Sequence, residues 1–249
     1  MHLEREVAID CFLPSLRSAP PLPLLIMNDG QDMEAVQLVE HLEKGTAQKH
    51  FPQMIVAAVY PGNRMQEYGT AHQVDYEGRG QLATAYSRFI CEELLPHLQE
   101  KYPISRKAKD RAIAGFSLGG LSALDIAWQQ SSLFGQVGIF SGSLWWRSKA
   151  FRPNAPDADR IAHELIQEGP KRENLRFWFQ AGTKDEESDR NNNGIIDAID
   201  DTLDLMKALE GLGYQKDRDI TYVEVEGGEH HPKTWSAVLP NFLHWAFGS

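Results

Sequence analysis

Residues 112–124, AIAGFSLGGLSAL, run from an apolar stretch of strand length through Gly115-Phe116-Ser117-Leu118-Gly119-Gly120 into a segment with helical spacing. This is G-x-S-x-G set between a strand and a helix, and the turn itself accounts for the glycines. A serine lifted above a sheet on a tight, strained turn needs small neighbours so that strand and helix can approach, and glycine fits best on both sides. The same turn aims the N–H of Leu118, at the start of the new helix, at the place where an oxyanion would form. The plainer reading is a Gly-rich turn with an incidental serine; the strand before it and the helix after it favour a nucleophile.

On either side of this stretch, apolar runs of strand length alternate with helix-period segments. LLIMN (24–28), QMIVAAVY (53–60), DRAIAGF (110–116), QVGIFS (136–141), LRFWFQAG (175–182) and DITYVEVEG (219–227) are the strands, and QLATAYSRFICEELLPHLQEKY (81–102) is a helical stretch between two of them. That order predicts an α/β fold, a mostly parallel sheet with helices on both faces. REVAIDCF (5–12) alternates like an edge strand, and the Pro-rich SAPPLP (18–23) ends it. With 249 residues, no repeat and no linker-like shift in composition, the chain reads as one domain over 1–249. PGNRMQEYGTAHQVDYEGRG (61–80) and the segment after Trp146 are candidate pocket-forming loops. Arg64, Glu67, Tyr68 and Arg79 in the first of them read equally as substrate-facing groups or as surface ion pairs.

Acids outnumber Lys and Arg by 35 to 25, a net charge of -10, which argues against a nucleic-acid partner. The opening MHLEREVAIDCFLP has no basic stretch followed by an apolar run, and no segment approaches the ~18 apolar residues of a membrane span. The expectation is a soluble, unsecreted, cytoplasmic protein, with its oligomeric state open. Cys11 and Cys91 make no disulfide framework and read as buried small hydrophobes.

A nucleophile on such a turn takes an acid and then a histidine from loops after later strands. DITYVEVEG is followed by Gly227-Gly228-Glu229-His230-His231-Pro232, and His230 is the expected base. His231 is the alternative, with its backbone restricted by Pro232. LRFWFQAG is followed by Thr183-Lys184-Asp185-Glu186-Glu187. Asp185, directly after the strand-end turn, is best placed to orient the imidazole, with Glu186 second. Trp145 and Trp146 follow Phe140-Ser141-Gly142-Ser143 at another strand end, so at least one is expected to line the substrate pocket and the other to pack in the core.

Just after the acid, DRNNNGIIDAID (189–200) places oxygen-bearing side chains at loop positions 1, 3, 5, 9 and 12, with Gly at 6. That is the spacing of an EF-hand loop. Asp189, Asn191, Asn193, the Ile195 carbonyl, Asp197 and Asp200 would hold a structural Ca2+. Asp replaces the usual Glu at position 12, and no helix of EF-hand type precedes Asp189. The alternative is an Asn-rich turn with Asp197 and Asp200 in the first turn of a helix, favoured by its dipole.

Taken together, MNDGQDM, AGFSLGG, FSGSLWW, AGTKDE and VEGGEHHPKTW resemble the esterase branch of the α/β hydrolases that holds enterochelin esterase, S-formylglutathione hydrolase, feruloyl esterases and mycolyltransferases. The resemblance covers nearly the whole chain. It implies the α/β-hydrolase fold, a triad on Ser117, Asp185 and His230, and no cofactor for the chemistry. It also implies that the N–H of Gln31, after Asp29-Gly30, joins that of Leu118 in an oxyanion hole. MNDGQ departs from the more apolar run usual before Asp-Gly. The expected activity is hydrolysis of a small-molecule carboxylic ester of siderophore, feruloyl, acetyl-sugar or thioester type. An acyltransferase of the same fold, or a catalytically silent calcium-stabilised binding module, are the alternatives.

Overall fold

Apolar runs that never alternate need cover on both faces of a sheet. The computed structural model, which describes residues 1–14 and 21–248, supplies it. Seven strands form one sheet: β1 (Ile9–Phe12), β2 (Leu24–Asn28), β3 (Ile55–Val59), β4 (Arg111–Phe116), β5 (Gln136–Phe140), β6 (Arg176–Lys184) and β7 (Ile220–Glu229). Their order is β1-β3-β2-β4-β5-β6-β7. Every pairing is parallel except that of β1 with β3, and β1 lies at the edge, as its alternating pattern predicts. In β2, Leu24 and Ile26 enter one core while Leu25 and Met27 enter the other.

Helices α1 (Leu38–Ala47) and α8 (Pro232–Phe247) cover the second face. The first is covered by α3 (Ala83–Arg88), α4 (Leu95–Lys101), α5 (Leu118–Gln129), α6 (Ile161–Glu168) and α7 (Asp197–Gly211). The short α2 (Arg64–Glu67) lies in the loop after β3. Under α8, Phe140 meets Trp178 and Phe242 with ring centroids 4.7 and 5.4 Å apart. Each such pair adds roughly 0.5–1.5 kcal/mol beyond the area it buries.

Four features differ from the sequence reading. The stretch 81–102 is not one continuous α-helix: a π segment, Phe89–Leu94, joins α3 to α4. Pro96 in the first turn of α4 has no N–H and crowds the carbonyl four residues back, and the wider turn before it relieves that conflict. β6 and β7 run past their apolar cores to Lys184 and Glu229, because backbone pairing continues where the side chains turn polar. The segment after Trp146 is tied down, with the Arg147 guanidinium donating to the carbonyls of Pro156 and Ala158. Cys11 is exposed, against expectation, whereas Cys91 is half-buried against the core, its thiol pushed up to about 12 by burial. Half of SAPPLP lies outside the described residues.

The strand order turns back between β2 and β4, and in open α/β sheets ligands bind beyond the carboxyl ends of the strands at such a point. The loops leaving β2, β4, β5, β6 and β7 there carry Asp29, Ser117, Ser143, Asp185 and His230.

Candidate active site

Ser117 follows β4, the central strand, at φ 53° and ψ -120°, a conformation that L-residues avoid. Its N–H donates to the Phe140 carbonyl (2.8 Å), and its carbonyl accepts from Ser143 (3.1 Å), so β5 and its loop hold the turn in place. A Cβ at Gly115 would overlap the Gly119 carbonyl, and one at Gly119 would overlap the Asp29 carboxylate. That is the close approach expected from the motif, with a third segment wedged into it. The Ser117 hydroxyl lies 3.2 Å from that of Ser143. Neither the Leu118 N–H nor the Gln31 N–H is engaged with another backbone group among the described residues, so both expected oxyanion donors are free to act.

His230 leaves the end of β7 as an exposed residue. Trp235 in α8 meets its ring edge-on, with centroids 5.4 Å apart. Trp235 is itself fixed by stacking on Phe116 (4.7 Å) and by donating from Nε1 to the Ser141 hydroxyl (3.0 Å). Partial burial pulls the His230 pKa below its ordinary value, the negative charge of Asp185 opposes this, and the Arg64 guanidinium reinforces it. His231 does something else: its Nδ1 accepts the Lys233 N–H (3.1 Å) and caps α8.

Asp185 stands one residue beyond β6. Its Oδ2 accepts the Gly182 N–H (3.0 Å), while its buried Oδ1 has no partner among the described residues. Glu186 turns toward α7, where it accepts the Ala198 N–H; burial and the neighbouring Asp197 raise its pKa. The electrostatic partner of His230 is thus Asp185.

Trp145 is 41% exposed and Trp146 wholly buried. The structure therefore puts Trp146 in the core, against Gly69 and Gly80. Arg79 packs over both indoles and pairs with Asp75 and Glu77. Glu67 is buried and paired with Arg5 (2.6 Å), so Glu67 and Arg79 do form ion pairs, but ones whose carboxylates, Glu67 and Asp75, are buried rather than at the surface. Arg64 and Tyr68 both reach Asp29. Arg64 Nε and Nη2 donate to the Asp29 carboxylate at 2.7 and 3.0 Å, and the Tyr68 hydroxyl accepts the Asp29 N–H (2.9 Å). Sequence reasoning missed this pairing. The one available signal was an acid directly after the apolar run LLIMN.

In the loop 189–200, three of the expected ion-binding side chains, Asn191, Asn193 and Asp200, meet, and Asp189 holds the loop backbone. Asp189 accepts the N–H groups of Asn193 (3.1 Å) and Gly194 (2.9 Å), and the amides of Asn191 and Asn193 lie 2.8 and 3.2 Å from Asp200 Oδ2. The amides meet Asp200 through nitrogen, while their oxygens accept the N–H groups of Asn193 (3.1 Å) and Ile195 (2.8 Å). Asp197 departs from its expected place and takes the N–H (2.9 Å) and guanidinium (3.1 Å) of Arg190 instead. Arg190 supplies a fixed positive charge beside the loop, and that removes Asp197 from the donors facing Asp200.

The sheet, its strand order and the serine turn at the end of the central strand define an α/β hydrolase. The model of the family described as "Putative esterase" matches residues 1–246, and the chain belongs to that family of ester hydrolases. Among curated proteins it is 24% identical to the uncharacterized protein YbbA of Bacillus subtilis, over 91% of this chain and 86% of that one. It is 25% identical to the iron(III) enterobactin esterase of Dickeya dadantii, over 90% of this chain and 47% of the relative. Among solved structures, a ferulic acid esterase superposes with a TM-score of 0.73 at 18% identity, covering 99% of this chain and 93% of that one. The enterobactin esterase FES of Shigella flexneri, solved in the presence of enterobactin, gives a TM-score of 0.76 at 22% identity, covering 98% of this chain and 56% of that one. The chain thus spans about half the length of the enterobactin esterases it matches. Among the described residues no helix is long and apolar enough to cross a membrane.

Proposed function

We propose that the protein hydrolyses a small-molecule carboxylic ester through Ser117, His230 and Asp185. The observation that carries this reading is the positive-φ serine at the carboxyl end of the central strand, with unengaged N–H groups at Leu118 and Gln31. His230 takes the hydroxyl proton of Ser117 as its oxygen attacks the ester carbonyl. The two amides hold the oxyanion, and His230 then gives the proton to the leaving alcohol. Water repeats these steps on the acyl-enzyme and releases the acid. Asp185 orients the imidazole and stabilises its charged form; its unpartnered Oδ1 supports that role. Exposed Trp145, two residues from Ser143, is the indole that flanks the substrate.

The names of the relatives point to a siderophore or feruloyl ester, and acetyl-sugar and thioester substrates belong in the same panel. The test is turnover of aryl and panel esters by wild type and Ser117→Ala, with and without added alcohol. Wild-type hydrolysis that is lost in the variant supports the reading. Ester exchange outrunning hydrolysis would make the protein an acyltransferase, and no turnover of any ester would make it a binding module.

We also propose that Asp189, Asn191, Asn193, Asp200 and the Ile195 carbonyl hold a structural Ca2+. The meeting of Asn191 and Asn193 with Asp200 supports this, and the donor set is the all-oxygen one that Ca2+ takes. The ion would fix the loop that carries Asp185, and no step of the reaction would pass through it.

A further inference from the structure

Asp29 is wholly buried, and Arg64 is 34% exposed. Taking a carboxylate out of water to meet a guanidinium costs desolvation energy that the attraction only partly offsets, so a pair of this kind is weak evidence for stability. Its geometry is more telling. The Arg64 fork donates to both Asp29 oxygens (2.7 and 3.0 Å), and Nη2 also donates to the Phe116 carbonyl (3.2 Å). Asp29 lies two residues before Gln31, and Phe116 two residues before Leu118. Each end of the bridge therefore sits just ahead of one expected oxyanion donor.

The surroundings hold Asp29 on this line. Its backbone is left-handed (φ 60°, ψ 55°), and its N–H donates to the hydroxyl of Tyr68, whose ring lies under the guanidinium (5.4 Å). Its carboxylate fills the space where a side chain at Gly119 would be. Next to it, the Asn28 amide donates to the Gly119 carbonyl (2.7 Å) and accepts from the Tyr86 hydroxyl (2.6 Å). The loop after β2 and the start of α5 are thereby joined on two sides, by Asn28 and by the Arg64–Asp29 pair.

We propose that Arg64 is a positioning residue: by bridging the Asp29 carboxylate and the Phe116 carbonyl, it sets the separation of the Gln31 and Leu118 amides that hold the oxyanion. This rests on the hydrolysis proposed above. A lysine, whose donors share one nitrogen, does not reproduce the planar two-nitrogen grip on the Asp29 carboxylate that also reaches the Phe116 carbonyl. The charged groups that face His230 are Asp185, from the loop after β6, and Arg64, from α2; the cation makes protonated His230 less favourable.

The test compares wild type, Arg64→Gln, Arg64→Lys, Asp29→Asn and the double variant Arg64→Gln/Asp29→Asn on an aryl ester across pH, with melting temperatures alongside. Arg64→Gln should lose roughly 10- to 100-fold in kcat with KM within about threefold, because the amides act on a charge present only in the transition state. Its acid limb should move to higher pH, since the cation that lowers the His230 pKa is gone. Arg64→Lys should also lose kcat but keep the wild-type limb, a split that general loosening of the fold does not produce. The double variant should be no worse than the worse single one, as for two ends of one bridge. Should Arg64→Gln not fold, Arg64→Lys carries the decision. Wild-type kcat in Arg64→Lys, or a rise in KM alone in Arg64→Gln, overturns the proposal. An inactive wild type overturns the hydrolysis reading and this one together, whereas an active wild type matched by Arg64→Gln overturns only this one.

Discussion

At the scale of single residues, Ser117 is held in a backbone conformation that costs of the order of 1–3 kcal/mol, and hydrogen bonds from the β5 loop keep it there. The two adjacent histidines have different surroundings. The negative charge of Asp185 acts on His230, whereas His231 accepts the Lys233 N–H as a helix cap. Because a general base works in its neutral form and burial lowers the His230 pKa, kcat/KM should hold to a more acid pH than an ordinary imidazole allows. Its acid limb should fall below about 6.5. His230→Ala should remove turnover, while His231→Ala should keep most of it and lower the melting temperature slightly. The pair of variants, assayed at saturating ester, decides between them; a crippled His231→Ala beside an active His230→Ala reverses the assignment.

At the scale of elements, the loop between β6 and α7 carries two adjacent acids whose side chains part. Asp185 is fixed by Gly182 with one oxygen left unpartnered, while Glu186 turns back to the first turn of α7. Asp185→Asn should cost up to ~10⁴ in kcat, and Glu186→Gln far less. Comparable losses in both would mean that the loop as a whole, rather than one carboxylate, sets the histidine. The same loop should answer to calcium, because an ion bound only by the folded chain raises stability by about 2.7 kcal/mol at a hundred times its dissociation constant. Melting temperature should rise in Ca2+ over chelator, with Mg2+ a poor substitute and Asp189→Ala insensitive. Equal wild-type melting in all three media, with no calcium by elemental analysis, would leave an Asn-rich turn.

At the scale of the whole molecule, the sheet was legible because buried parallel strands are continuous apolar runs, as in LLIMN and IVAAV. The serine turn was legible because its glycines answer a local steric demand. What escaped the sequence joins distant segments. Residues 29, 64 and 116 meet through one guanidinium, and Arg160 and Arg190 join the loop before α6 to α7 through Asp157 and Asp201. No local pattern marks such contacts. The break of the 81–102 helix is an intermediate case, since Pro96 was in view but the wider turn that accommodates it was not.

The packing of α6 against α7 carries a consequence for acid stability. His163 is buried there with Nε2 2.9 Å from the Asp201 carbonyl, and burial, reinforced by Arg160, pushes its pKa down to about 3. The unfolded chain binds a proton near pH 6.5 that the folded chain refuses until about pH 3. Stability from this residue is therefore full above pH 6.5 and falls with acid, by about 2 kcal/mol at pH 5. His163→Gln should show a smaller fall in melting temperature between pH 7 and pH 5 than wild type; an equal fall would place the acid sensitivity elsewhere.

Whether Ser117 is the nucleophile is read out by reacting the native protein with a fluorophosphonate and mapping the adduct by peptide mass spectrometry. One adduct is expected, on Ser117, formed in proportion to the loss of esterase activity and absent from Ser117→Ala. An adduct on Ser143 or any other serine, or inactivation that leaves Ser117 unmodified, would overturn the assignment.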